Sequence, residues 1–381
     1  MTHLVLDVET TISNKGNPFD ETNKLCYIGL ARSCFPIEYD SSPYGSFLRT
    51  VQSSINDADL LVGFNIKFDL HWIARYGIEF STKRIWDCQV VHFIITNQTH
   101  PYPSLNDVAE YYGLPSKLDV VAKEYWNNGI DTPNIPRELL EEYLLGDLTL
   151  TEQVYLKQKE YLQNHPALLR LCSLQNQDLL ILQEMEFNGL IYDNKKAKEL
   201  AMGVREQITA LDGLLFSYHN LSEFNLNSTD HLSALLYGGS IRLRRREPNG
   251  FYKTGDRAGQ AKEKWVDYTV DYPRLFKPIK GSELSKEGLF STDEPTLRSL
   301  RGNKHAKELI ELLLKRAELD KRVSTYYERL TKLQVSSNWK EGKLHGQFNQ
   351  CVARTGRLSS SKPNLQNIDG KIKELFGSRF S

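Results

Sequence analysis

The sequence predicts an α/β domain over residues 1–165, followed by a mostly helical second part. Short apolar strands alternate with helical patterns in the first stretch, as an α/β unit requires. Beyond Leu168 long helical runs dominate. The charge also changes sign along the chain. Residues 1–150 carry 11 Lys and Arg against 20 Asp and Glu, a net of −9. Residues 151–381 carry 37 against 28, a net of +9, and residues 301–381 alone (17 against 8) supply that whole excess. The overall zero therefore hides an acidic unit joined to a basic one, suited to a metal ion and a polyanion respectively.

The elements follow in order. Residues 3–8 (HLVLDV), 24–31 (KLCYIGLA) and 59–64 (DLLVGF) read as strands. A helix starts near Lys67 and stops at Gly77. Another, SLNDVAEYYG, has Ser104 as N-cap and Gly113 as its stop. A long helix opens at Pro136. The run LLRLCSLQNQDLLILQEMEF is helical and closes at Asn188-Gly189, then LIYD gives a short strand and a helix spans about Asn194 to Tyr218. Residues 238–290 are rich in Lys, Arg, Gly and Pro and read as a basic, poorly packed insertion with two strands. A last long helix covers roughly 303–334, a tail rich in Ser, Gly, Asn and basic residues follows from 344, and 354–368 within it reads as a flexible Gly/Ser segment.

Several classes are excluded. No apolar run reaches the roughly 18 residues that span a bilayer. The opening MTHLVLDVETT lacks the charged start and apolar core of a signal peptide. The five cysteines are scattered with no CxxC, which argues against a disulfide scaffold or structural zinc and fits a reducing cytoplasm.

Three short motifs carry the chemistry. Asp7 and Glu9 sit two apart on a strand, so both carboxylates leave from one face. Paired carboxylates on a buried strand are costly without a partner, and a divalent cation is the usual one. Asn65 and Asp69 form NIKFD just after a strand, where α/β sheets place ligands. Taken alone, Asp69 is an ordinary helix-start carboxylate. Tyr143 and Asp147 form YLLGD, an i, i+4 pair on one helix face. Gly146 costs that helix about 1 kcal/mol and suggests a close approach there.

In this order the motifs LDVET, NIKFDL and YLLGD resemble those of the DEDD superfamily of 3′–5′ exonucleases, in its Tyr-bearing subclass, and IWDCQ and SLNDVAEYYG are also similar. The resemblance covers residues 1 to about 165. It implies a ribonuclease-H-like fold and phosphodiester hydrolysis with two Mg²⁺ or Mn²⁺ ions. By the family pattern Asp7, Glu9, Asp69 and Asp147 hold the metals, Tyr143 orients the attacking water, and Asn65 contacts substrate. Hard oxygen donors suit these ions.

In the second half, RTGRLSSSKPNLQNI at 354–368 offers Arg354, Arg357, Lys362, Asn364, Gln366 and Asn367, side chains that bond phosphates and base edges. TGRLSS followed by PNLQNI resembles the signature of family A DNA polymerases. LQEMEFNGLIYD, FNLNSTDHLSALLYGG, GLFSTDEPTL and KRAELDKRVSTYYERL are similar to family segments in the same order. The resemblance implies a polymerase-type part at 166–381, with a thumb at about 190–335 carrying the 238–290 insertion, and the start of a palm at 336–381. Arg357 is then expected at the minor groove, with Asn364 and Gln366 on template or primer. Arg242, Arg244, Arg245 and Arg246, with Arg354 and Lys362, are further candidates for DNA contact.

The expected partners are a single-stranded DNA 3′ end and primer–template, a second polypeptide carrying palm and fingers, and a processivity factor at 238–290; no membrane is expected. The absence of a 5′-nuclease segment ahead of Asp7 resembles phage polymerases of this family, and for a phage-encoded chain the expected location is the host cytoplasm. The family's two palm carboxylates lie after TGRLSS, and no segment like theirs occurs here, so the expectation is trimming of 3′ ends without synthesis by this chain alone. Two other roles stay open: a DNA clamp within a two-chain polymerase, and a free-standing DEDD ribonuclease.

Overall fold

The computed structural model describes residues 2–31, 33–36, 44–117, 119–219, 224–340 and 342–377. The chain begins with β1 (His3–Thr10), β2 (Leu25–Leu30), β3 (Ser33–Pro36), α1 (Tyr44–Asp57), β4 (Leu60–Gly63), α2 (Lys67–Arg75), β5 (Arg84–Asp87) and α3 (Cys88–Ile95). Helices α4 (Leu105–Tyr111), α5 (Val120–Glu124), α6 (Arg137–Gln163) and α7 (Pro166–Asn188) follow. The sheet order is β3-β2-β1-β4-β5. β1 pairs antiparallel with β2 and parallel with β4, so β1 is central and buries Val5, Leu6 and Val8.

Next come β6 (Leu190–Tyr192), α8 (Asn194–His219), α9 (Thr229–Tyr237), β7 (Gly239–Phe251), β8 (Ala261–Tyr272), α10 (Glu294–Ser299) and α11 (Lys304–Lys321). A π-helical turn at Arg322–Tyr327 leads to α12 (Glu328–Ser336), and four short strands follow: β9 (Lys343–Leu344), β10 (Gln347–Asn349), β11 (Ser359–Ser361) and β12 (Phe376–Gly377). The chain divides into two units: one of residues 1–196 with 330–381, the other of 197–329.

Local chemistry explains several boundaries. Ser104 caps α4 in a reciprocal box with Asp107, satisfying two free N–H groups. Gly189 ends α7 at φ +65°, a conformation that favours glycine. Gly29 of β2 lies opposite Asp7 in register. A Cβ built at Gly29 would sit 2.7 Å from Leu148 Cδ1 and 3.1 Å from Leu144, so this glycine lets α6 lie close on the sheet.

Three expectations need correction. The close approach is at Gly29 and not at Gly146, where a Cβ would meet nothing within 4 Å. The insertion at 238–290 is not poorly packed at its base. β7 and β8 form one antiparallel hairpin, and Ile241 and Leu243 are buried in the core of the second unit beside Leu236 and Phe276. Alternation along β7 turns Arg242 and Arg244 outward while those two residues turn in. The tail is also ordered in part: β10 pairs antiparallel with β11, and β12 joins β6 and β9 in a small sheet.

Candidate active site

β1, α2 and α6 deliver the acidic side chains. Asp7 and Glu9 project from one face of the central strand, and α6 brings Asp147 over them. Ligand oxygens of these three carboxylates all lie within 4.8 Å of one another. Asp69, in the first turn of α2, is buried, and its Oδ1 accepts from the backbone N–H of Val8 at 3.0 Å. It is therefore not the solvent-facing helix-start carboxylate that its position alone suggested. Asn65 lies in the tight turn before α2 at φ +56°, its side chain exposed and its N–H donating to Asp87 Oδ1 at 3.1 Å. Asp87 is buried at the start of α3 and also accepts from Gln89 and Val90, so it anchors the turn that leads to Asp69.

Burial and mutual repulsion raise these acids. Desolvation, then the charge of Asp147, lifts Asp7 to about 7. Desolvation and Asp7 hold Glu9 and Asp69 well above the usual carboxylate range. Asp147 is raised by burial, against the pull of Lys117. The Tyr143 phenol is pushed far up, first by burial and then by Asp147, so it stays protonated.

Lys117 was not legible as a site residue. Its Nζ donates to the Tyr143 hydroxyl and to Asp147 Oδ2, each at 2.6 Å, and stands 4.3 Å from the centre of the Tyr143 ring. Trp126 meets the same ring edge-on at 5.4 Å. The other Asp147 oxygen, Oδ1, is buried and has no hydrogen-bond partner. Beside Lys117 and Tyr143 is a cavity of about 460 Å³, also lined by Val121, Leu139, Glu142 and Gly146.

A second buried polar group was also missed. Glu186 of α7 accepts from Lys67 Nζ at 2.6 Å, from Phe348 N–H at 2.5 Å and, on its other oxygen, pairs with His71 Nε2 at 2.9 Å. Lys67 also donates to the Phe348 carbonyl. The group thus fastens β10 to the helix that carries Asp69.

The remaining candidates do not join the carboxylates. Arg354, Arg357, Asn364 and Gln366 are exposed on the C-terminal segment, where Asn364 accepts from the Gln366 N–H. Lys362, exposed at φ +53°, lines a cavity of about 430 Å³ with Phe19, Phe68, Trp339 and His345. On the hairpin, Arg244 pairs with Asp267 at 2.6 Å, Arg245 with Glu247 at 2.7 Å and Arg246 with Glu263 at 3.4 Å. Arg245 also stacks over Tyr268 and Arg246 over Trp265.

Residues 271–379 match the family model described as DNA polymerase family A. The chain is related to the family A DNA polymerases. DNA polymerase I of Synechocystis sp. is 28% identical over 310 residues, covering 80% of this chain and 26% of that protein. The thermostable DNA polymerase I of Thermus aquaticus is 29% identical over 293 residues, covering 70% and 30%. The chain thus spans between a quarter and a third of these relatives. Among solved structures, the POL domain of Pol1 from M. smegmatis, described as a complex with DNA primer-template and dNTP, superposes with a TM-score of 0.63 at 16% identity, over 96% of this chain and 52% of that one. At that identity the likeness shows the fold. Among the described residues no helix is long and apolar enough to cross a membrane.

Proposed function

We propose that this chain hydrolyses DNA from the 3′ end at the carboxylate cluster of residues 1–165, a ribonuclease-H-like exonuclease domain, and that residues 166–381 hold the DNA as part of a replicative family A polymerase. The observation that carries the reading is the meeting of Asp7, Glu9 and Asp147 within 4.8 Å, with Asp69 and Tyr143 beside them. The proposal assigns nucleotide addition to none of the described residues.

The donor set fits two Mg²⁺ or Mn²⁺ ions. All donors are hard oxygens, Asp147 Oδ1 is buried without a partner, and Asp7 is raised to about 7 by its surroundings. Asp7, Glu9, Asp69 and Asp147 would hold them. When bound, such ions lower the pKa of water and offset the charge that develops on phosphate. The residues do the rest. Tyr143 keeps its proton and orients the attacking water by hydrogen bonding. Val8 fixes the Asp69 carboxylate, and Gly29 sets the depth of α6 and so the height of Asp147. The basic excess of residues 301–381 and the relative solved with primer-template support DNA as the polymer held.

The test is degradation of a 5′-labelled single-stranded DNA with Mg²⁺ or Mn²⁺. Stepwise shortening that needs the cation and disappears in the double variant Asp7→Ala, Glu9→Ala is expected. Undiminished cleavage by that folded variant would sink the assignment.

A further inference from the structure

Lys117 is an ammonium placed among acids, and three features suggest what it does. It is held there: its backbone N–H donates to Asn106 Oδ1 at 3.1 Å, while Asn106 Nδ2 donates to Asp119 at 3.1 Å, so one side chain of α4 pins both sides of Lys117 in the loop. Its Nζ sits against the cluster, bonded at 2.6 Å to Asp147, one of the three carboxylates whose oxygens all lie within 4.8 Å of one another. It also has somewhere to go, because it lines the 460 Å³ cavity together with Glu142.

Resting on the hydrolytic reading above, we propose that Lys117 is the resident counter-ion of the carboxylate cluster: it neutralises Asp147 in the cation-free site, yields that carboxylate to an entering divalent cation, and positions the Tyr143 hydroxyl. An ammonium has three donors, and here two are spent on Asp147 and Tyr143. A divalent cation held at Asp147 would repel the ammonium and weaken the first of these bonds. Lys117 and the cation then compete for one carboxylate, and Lys117 is a positioning residue through Tyr143.

Competition gives a result that a merely structural lysine would not. Removing the ammonium should tighten cation binding while slowing turnover. The experiment uses the full chain, with Mn²⁺ binding measured by isothermal titration calorimetry for wild type, Lys117→Met and Lys117→Arg. Loss of a unit charge about 4 Å from the site predicts Mn²⁺ affinity about tenfold tighter or more in Lys117→Met. At saturating Mn²⁺ its hydrolysis should fall at least about tenfold, the scale expected when a group that positions the water is lost. Lys117→Arg keeps the charge and should stay within about threefold of wild-type affinity. Unchanged or weaker Mn²⁺ binding by folded Lys117→Met would overturn the inference and leave the hydrolytic reading standing. No binding by either protein would overturn both.

A measurement on the wild-type chain needs no substitution. Acetylation of Lys117 by acetic anhydride, mapped by mass spectrometry, should rise severalfold when Mn²⁺ is added. A fall, or no change while Mn²⁺ is bound, would equally overturn it.

Discussion

Replacing Asp7 by Asn should stabilise the cation-free protein while abolishing hydrolysis. Asp7 titrates near 7 in the folded chain, against an ordinary value near 3.8. The folded chain therefore binds this proton more tightly than the unfolded chain does. Stability from this group is full below about pH 4, falls as pH rises, and is gone above about 7. About three pKa units at about 1.36 kcal/mol each give a ceiling near 4 kcal/mol. Asp7 is only partly buried by area, and part of its rise comes from the charge of Asp147, so about 2 kcal/mol is the expected gain at pH 8. For a unit of this size that is roughly 4–8 °C in melting temperature. The assay is thermal unfolding in chelator at about pH 5 and pH 8, beside DNA hydrolysis in Mg²⁺. Asp7→Asn should melt higher than wild type at pH 8, gain less than half as much at pH 5, and be inactive. A variant that melts lower at pH 8, or gains equally at both values, would refute the electrostatic account.

Other substitutions separate other parts of the argument. Tyr143→Phe should cut turnover by about 10- to 100-fold, since it removes one water-positioning hydroxyl, and calorimetry should show Mn²⁺ affinity unchanged. Gly29→Ala should cost about 1–3 kcal/mol by overpacking against Leu148. Because Asp147 rides on the same helix, hydrolysis should fall with it, which urea titration and the DNA assay would report together. Lys67→Met should destabilise by about 3 kcal/mol, because it takes the ammonium from the buried Glu186 carboxylate and leaves it facing the Phe348 N–H and a His71 imidazole whose pKa burial lowers; urea unfolding measures this. On the hairpin, Arg244, Arg245 and Arg246 already face carboxylates, whereas Arg242 is exposed with no such pairing among the described contacts. Arg242→Ala alone should therefore flatten the salt dependence of DNA affinity, by about 0.9 in log–log slope, as much as changing all four arginines.

The sequence spoke clearly where local physics decides. The strand around Leu4–Val8, the Ser104 cap and the Gly189 stop are set by neighbours within a few residues, and each lies where its pattern placed it. The run Ile85–Ile95 was opaque. It is apolar without a period, and the structure splits it into β5 and α3 at Asp87, whose side chain caps the helix. The three motifs were readable because each sits on a recognisable element. Their partners were not. Lys117 follows Gly113 in a polar loop and looks like any solvated lysine; the fold over 26 and 30 residues brings it to Tyr143 and Asp147. Glu186 lies on an amphipathic helix where a carboxylate usually meets water, yet Lys67, His71 and Phe348 enclose it. Gly146 and Gly29 show the same limit. Which glycine admits a neighbour depends on what packs there, and no local pattern carries that.

The fastening of β10 to α2 also sets an order of events during synthesis. Lys67, His71 and Glu186 leave the ribosome early, but Phe348, which completes the group, comes 162 residues after Glu186. At roughly 5–20 residues per second that interval is about 10–30 s. Through it, the ion pair must stay wet or be covered by something other than its own strand. The acidic sheet can assemble in that time, but its α2–α7 seam closes only when the residues around Phe348 arrive. A nascent chain stalled before Phe348 should expose this seam to proteases, with cleavage near α7 reporting the delay.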